Sequence, residues 1–257
     1  MQITFLGAHN TESKKTRMTT LLVDDLLALD ASAITSSLSF PEQRKIKVIL
    51  VTHHHYDHIR DIPALAMNLY LSGGSIDIFA ALPVLNAIKN YLLNDDMYPR
   101  FFERPADNPV VRFHSISPGA PREIENYKVL PVRVNHPIPA MGFEIKAADG
   151  KTVFYTGDTG KGLAEVWRQV KPDVLIIELT APNKYEAAVG DGSKHLTPRL
   201  LQEELESFRK IKGYLPGVFL VHMSPLEERE IKQEIAAVAR TLKADITLAK
   251  EGMKITV

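Results

Sequence analysis

The chain has 257 residues, with 31 Lys and Arg balanced by 31 Asp and Glu for a formal net charge of +0; no global field draws it to nucleic acid or to an anionic membrane. At 45% hydrophobic and 24% charged residues it carries enough apolar surface for a packed core and no disorder signature, and a cysteine count of 0 excludes thiolate metal sites, iron–sulfur clusters and disulfides. There is no run of about eighteen apolar residues and no basic-then-apolar leader, so the expectation is one soluble, cytoplasmic domain over residues 1–257.

Short apolar runs alternate with amphipathic stretches, which argues an α/β fold. In chain order the first part predicts strands over Ile3–Leu6, Thr20–Val23, Leu26–Leu29 and Val48–Val51, with Asp24-Asp25 as a hairpin turn. Asp61-Ile62-Pro63 predicts a helix start, Asp61 as cap and Pro63 in the first turn, with Leu65, Ala66 and Leu69 on the buried face. A strand over Ser75–Phe79 and a helix over Pro83–Leu93 follow. Tyr98 to Pro105 is the least regular segment; its aromatic and arginine side chains suit either a flap over a phosphate ligand or a loop packed onto the body. Strands over Lys128–Val134, Gly142–Ala147 and Thr152–Tyr155 come next, the last two joined by Asp149-Gly150.

Beyond that point the chain alternates strand and helix. Val153-Phe154-Tyr155 leads to Asp158 and then a helix with Leu163, Val166, Trp167 and Val170 on one face, Gly157 allowing a sharp turn. Val174 to Ile177 ends at Glu178, and His195 precedes Thr197-Pro198, a cap and first helical position. Val218 to Val221 ends at His222, before Ser224-Pro225-Leu226-Glu227, which reads as a capping box. Each of these positions lies where a strand runs out, the crevice in which ligands gather in α/β sheets.

The densest chemistry is His53-His54-His55-Tyr56-Asp57-His58, directly after the apolar run Val48–Val51. Omitting His54, the spacing is His-x-His-x-Asp-His, which offers imidazoles and a carboxylate from both sides of a turn, ligand types suited to zinc, iron or manganese. If the strand continues, His53 and His55 project the same way, Asp57 and His58 face a neighbouring position, and His54 points away. Such a loop can feed two ions.

With Ile3-Thr4-Phe5-Leu6-Gly7, Val134-Asn135-His136, Tyr155-Thr156-Gly157-Asp158-Thr159 and Val221-His222-Met223-Ser224 in order around it, this loop resembles the metallo-β-lactamase superfamily along nearly the whole chain. The resemblance implies a four-layer αββα sandwich of two mixed sheets flanked by helices. It implies His53, His55 and His136 as ligands of a first metal, Asp57, His58 and His222 as ligands of a second, and Asp158, with two carboxylate oxygens, as the bridge. Asp57 is also counted among the catalytic residues. A pair of ions about 3.5–4 Å apart holds a hydroxide at neutral pH and neutralises charge on a phosphoryl group.

Glu178-Leu179-Thr180 and Lys194-His195-Leu196-Thr197 look similar to two further elements of the phosphodiesterase branch, which includes ribonuclease Z and the class II cyclic-nucleotide phosphodiesterases. In that branch a histidine contacts the scissile phosphate and a glutamate orients it, so His195 is expected as proton donor and Glu178 as its orienter. The chain departs from ribonuclease Z in having about twenty residues between His136 and Asp158, too few for the long Gly/Pro-rich arm of that family, and Ile59 where that family favours glycine. The expected activity is therefore hydrolysis of a small phosphodiester, a cyclic nucleotide or cyclic dinucleotide, with no membrane or long nucleic acid as partner and a homodimer allowed. The alternatives are a ribonuclease Z-like endonuclease, a thioester or lactone hydrolase of the same fold, and a non-catalytic metal sensor. Outside this scheme stand His9, either a substrate contact or a solvated loop residue, and His114, expected to face outward from its strand.

Overall fold

A computed structural model describes all residues, 1–257. Two sheets of seven strands form the middle of the molecule. The first runs in the order β14 (Lys254–Thr256), β1 (Gln2–Gly7), β2 (Thr20–Val23), β3 (Leu27–Leu29), β4 (Val48–Leu50), β5 (Ile76–Ala80), β6 (Val111–Ser115). The second runs β13 (Ile246–Leu248), β12 (Gly217–Val221), β11 (Val174–Glu178), β10 (Thr152–Tyr155), β9 (Met141–Lys146), β8 (Tyr127–Arg133), β7 (Arg122–Ile124). Each sheet is half antiparallel and half parallel: β3 to β6 pair in parallel, and so do β10 to β13.

The pleat sorts side chains between three cores. Phe5, Leu21, Leu29 and Leu50 from the first sheet meet Phe143, Ile145, Tyr155 and Ile176 from the second, all buried, in the core between the sheets. Their neighbours Leu6, Leu22, Ala28 and Ile49 point the other way, under α1 (Ile34–Ser37), α4 (Ile62–Leu71) and α5 (Leu82–Ala87). On the far side, Phe154, Leu175, Ile177 and Leu220 pack against α6 (Ala164–Gln169), α7 (Pro198–Lys212) and α8 (Glu228–Leu242). The result is the four-layer αββα sandwich, and no helix is long and apolar enough to cross a membrane.

Asp24 and Asp25 both take positive φ, 47° and 58°, as the tight hairpin between β2 and β3 requires. Two local expectations fail, and one open alternative is decided. Asp61 precedes α4 without capping it, because its carboxylate instead accepts the Thr35 amide at 2.8 Å and faces the Arg60 guanidinium at 3.1 Å. The capping box at Ser224 does not form: α8 begins later, at Glu228, and Glu227 turns to Lys184 and the Tyr185 hydroxyl, each at 3.0 Å. The Tyr98–Pro105 segment is not a flap over the site. Phe101 is buried, its ring lies tilted 5.4 Å from that of Tyr70 at the end of α4, and its carbonyl accepts the Val111 amide at the start of β6, so the segment packs against the sheet edge opposite the site.

Candidate metal centre

The strands β4, β8, β10, β11 and β12 all run out at one edge of the sandwich, and each delivers a ligand-type side chain there. After β4 the backbone leaves the ladder, presents His53 and His55 from extended chain, and turns into the short helix α3 (Tyr56–Ile59), which carries Asp57 and His58. His136 follows β8, Asp158 follows β10 and His222 follows β12. Gly157 sits at φ 60°, and a Cβ there would lie 2.7 Å from the Thr52 side chain; glycine is needed both for the turn and for the close approach of the two loops.

Two groups result, His53, His55, His136 and Asp158, and Asp57, His58, Asp158 and His222, each with its ligand atoms within 4.8 Å of one another. Asp158 belongs to both, as a bridge must. In the first group His55 Nδ1 lies 3.0 Å from His53 Nε2 and 3.2 Å from His136 Nε2. In the second, His222 Nε2 is 3.2 Å from Asp57 and 3.4 Å from Asp158, and His58 Nε2 is 3.3 Å from Asp158. Tetrahedral ligand atoms at 2.0–2.1 Å from zinc stand about 3.3 Å apart, so these edges match a coordination sphere. His54 belongs to neither group.

The electrostatics fit a cation. Burial drives His53 well below its ordinary value and His136 down to about 4, leaving neutral imidazoles with free lone pairs. Burial would raise Asp57, but the His222 hydrogen bond and the His58 charge hold it at about 2. His58 shows the opposite balance: against the downward pull of burial, Asp158 and Asp30 hold it well above its ordinary value, so the pocket demands positive charge. His58 Nε2 and Asp158 Oδ1 are buried without any hydrogen-bond partner, the kind of orphaned pair that a metal ion satisfies.

Each ring is steered from behind through its other nitrogen. His53 Nδ1 meets Thr52 Oγ1 at 3.0 Å, His222 Nδ1 meets Thr180 Oγ1 at 2.9 Å, and His58 Nδ1 meets Asp30 at 2.7 Å. Asp30, fully buried, also accepts the Thr52 amide at 2.8 Å and the Tyr155 hydroxyl at 2.9 Å, so one carboxylate joins β3, the histidine loop and β10. The sequence reading passed over Asp30, Thr52, Thr180 and Tyr155. Asp30 carried a usable signal, a carboxylate at the end of the apolar run Leu27–Leu29, like the strand-end residues that were singled out.

Glu178 and His195 do come together. Glu178 is fully buried; its Oε1 accepts His195 Nδ1 at 2.7 Å and the Thr159 amide at 2.9 Å, while its Oε2 accepts the Thr180 hydroxyl at 3.0 Å and the Leu196 amide at 3.2 Å. Glu178, His195 and His222 also lie close enough to hold an ion, but four donors already occupy both Glu178 oxygens. The His195 ring stacks on His222, centroids 5.2 Å apart at 15°, and meets His136 edge-on at 5.4 Å, touching one ring from each metal group. Burial would lower His195, yet Glu178 raises it to about 9.

His9 and His114 are not part of the centre. His114 bonds Asp77 at 2.6 Å and is half-exposed, as an outward-facing strand residue is. His9 is neither a solvated loop residue nor grouped with the metal residues: it is buried, with Glu251 2.6 Å from Nδ1.

A family model described as the beta-lactamase superfamily domain matches residues 20–223. Among curated proteins the chain is 32% identical over 112 residues to ribonuclease Z of Pyrococcus abyssi, covering 43% of this chain and 34% of that protein. It is 27% identical over 159 residues to ribonuclease Z of Pyrococcus horikoshii, covering 56% and 49%. The chain thus matches between a third and a half of the length of these relatives. Among solved structures, unliganded yeast PDE1 superposes with a TM-score of 0.83 at 15% identity over 100% of this chain and 99% of that one. The short form of human tRNase Z gives a TM-score of 0.71 at 19% identity over 100% and 99%. With its strand-end ligands, its four layers and the match across most of its length, the chain belongs to the metallo-β-lactamase superfamily of metal-dependent hydrolases.

Proposed function

We propose that the protein is a phosphodiester hydrolase with two divalent metal ions, zinc, iron or manganese, and a small substrate such as a cyclic nucleotide or cyclic dinucleotide. His53, His55 and His136 would hold one ion, Asp57, His58 and His222 the other, with Asp158 between them. When bound, such ions polarise a phosphoryl oxygen and neutralise the charge that grows on it.

The observation that carries the reading is the Glu178–His195 pair. A thiolate leaving a thioester needs no proton donor there, whereas an alkoxide leaving a phosphodiester does. Glu178 fixes the His195 ring through Nδ1, which leaves Nε2 to hold a proton for the departing oxygen. The ring is partly exposed, with a side-chain accessibility of 13%, so a ligand can reach it. Asp57, more open at 27%, stays ionised beside His222.

Substrate size follows from the chain between the third and fourth ligand segments. From His136 to Asp158 it holds β9, β10 and their tight turn at Gly150, leaving no length for an arm that grips a folded RNA. A second reading, a ribonuclease Z-like endonuclease, is favoured by the curated relatives of that name.

The test is one preparation assayed on cyclic nucleotides, cyclic dinucleotides, precursor transfer RNA, thioesters and lactones, beside His195→Ala. The variant is expected to keep its fold and metal content and to lose roughly 10²–10⁴-fold in phosphodiester turnover, with a smaller loss on nitrophenyl esters, whose leaving group scarcely needs a proton. Preference for precursor transfer RNA would select the second reading. Normal turnover by His195→Ala, or preference for a thioester, would defeat the phosphodiesterase assignment.

A further inference from the structure

His222 is a strained ligand. It sits at φ 65°, in the left-handed region that is unfavourable for a non-glycine residue, so its turn needs holding from outside. The hold comes from the loop after β1. The Met223 amide donates to the Ala8 carbonyl at 3.3 Å, and the Asn10 amide donates to the Met223 carbonyl at 3.2 Å, so that residues 8 to 10 pair with the residue following the ligand.

The centre of that loop is His9. On its backbone side, its amide donates to the Arg17 carbonyl at 3.0 Å and its carbonyl accepts the Thr19 hydroxyl at 3.2 Å. Its ring lies between two carboxylates: Nδ1 is hydrogen-bonded to Glu251 at 2.6 Å, whereas Nε2 stands 3.6 Å from Glu228 and makes no hydrogen bond. Glu251 in turn accepts the Arg17 amide at 2.9 Å, and its loop is tied to β1 where the Gly252 amide meets the Phe5 carbonyl at 2.8 Å. Glu228 is the first residue of α8, the helix that follows the His222 turn. One imidazole thus ties the loop after β1 to the loop before β14, with the start of α8 beside its other nitrogen.

We propose that His9 is a positioning residue for the second metal position, its ring held by Glu251 so that the loop after β1 keeps His222 in its left-handed conformation. The inference rests on the two-ion reading above. His9 touches no substrate and no metal in this scheme; its effect is carried by the Met223 pairing alone. The first position, built on His53, His55 and His136 from other loops, does not depend on it.

Zinc titration of the full chain by equilibrium dialysis, with metal content measured per chain, separates the two claims. The parent is expected to bind two ions. His9→Ala is expected to bind the first with parental affinity and the second about 10–100-fold more weakly, as loss of a supporting contact to a ligand does. Should His9→Ala not fold, Glu251→Gln, which keeps the volume and removes the charge, carries the same test with a loss of about 10-fold. Glu204→Gln is the control for general destabilisation: Glu204 binds the Gly162 and Leu163 amides and the Trp167 indole, away from the His222 turn, and its loss is expected to lower the Tm and leave both affinities unchanged. A parent that binds one ion overturns the two-ion reading and this inference with it. A two-ion parent whose His9 or Glu251 variant holds the second ion within twofold, or a Glu204→Gln variant that weakens it equally, overturns the role of His9 alone.

Discussion

Glu178→Gln is expected to be a severe substitution, although an orienting carboxylate is often replaced by its amide at little cost. Both oxygens of Glu178 serve as acceptors, two donors each: His195 Nδ1 and the Thr159 amide on one, the Thr180 hydroxyl and the Leu196 amide on the other. An amide supplies one acceptor oxygen and one donor group. Whichever way it is turned, its NH₂ faces a backbone N–H, of Thr159 or of Leu196, in a site with no solvent access. One buried donor left unpaired costs about 1–3 kcal/mol, and exchanging the charged acceptor for a neutral one at His195 removes on the order of 1 kcal/mol more. A total near 3 kcal/mol corresponds to a Tm lower by about 6–12 °C for a chain of this size. The damage reaches both halves of the site, because Thr180 hands the Glu178 contact on to His222 Nδ1. Turnover is therefore expected to fall at least as far as in His195→Ala, roughly 10²-fold or more. Thermal unfolding followed by circular dichroism and phosphodiester hydrolysis on the same samples measure the two effects. A variant that melts within about 1 °C of the parent and turns over within twofold would refute the argument from donor counting.

Asp158→Ala is expected to lose one or both ions and nearly all turnover, since no other side chain belongs to both ligand groups; full metal content with retained turnover would contradict the bridge. Asp30→Asn removes one acceptor from a carboxylate that serves His58, Thr52 and Tyr155, and metal affinity is expected to drop about 10–100-fold, measured by competition with a chelator. Asp77 gives a pH dependence away from the site: burial would raise its carboxyl, but hydrogen bonds from Arg112 and His114 lower it below 3.8. Its contribution to stability is then fully present above pH 3.8 and lost as the pH falls beneath that value. In Asp77→Asn, acid unfolding curves are expected to shift less over that range, and curves that superpose on the parent's would exclude the effect.

The residues themselves disclosed the chemistry of this protein to a large degree. Ligand atom types are chemical facts of the sequence, and His53, His55, Asp57, His58, His136, Asp158 and His222 all sit just past short apolar runs, which mark buried strands that end. The α/β class was equally legible. Tertiary structure decided what depends on partners distant along the chain. Asp61 and Glu227 carry good local capping chemistry, but a Thr35 amide and a Lys184 ammonium compete for those carboxylates, and a capping contact is too weak to prevail against a better-placed donor. The aromatic segment near Phe101 could not be located from its composition, because burial against Tyr70 is decided by where α4 ends. The partners of Asp30 and His9 were decided in the same way: a carboxylate that steers a ring 28 positions away, and an imidazole bonded to Glu251 242 positions away, acquire their roles when folding brings the segments together.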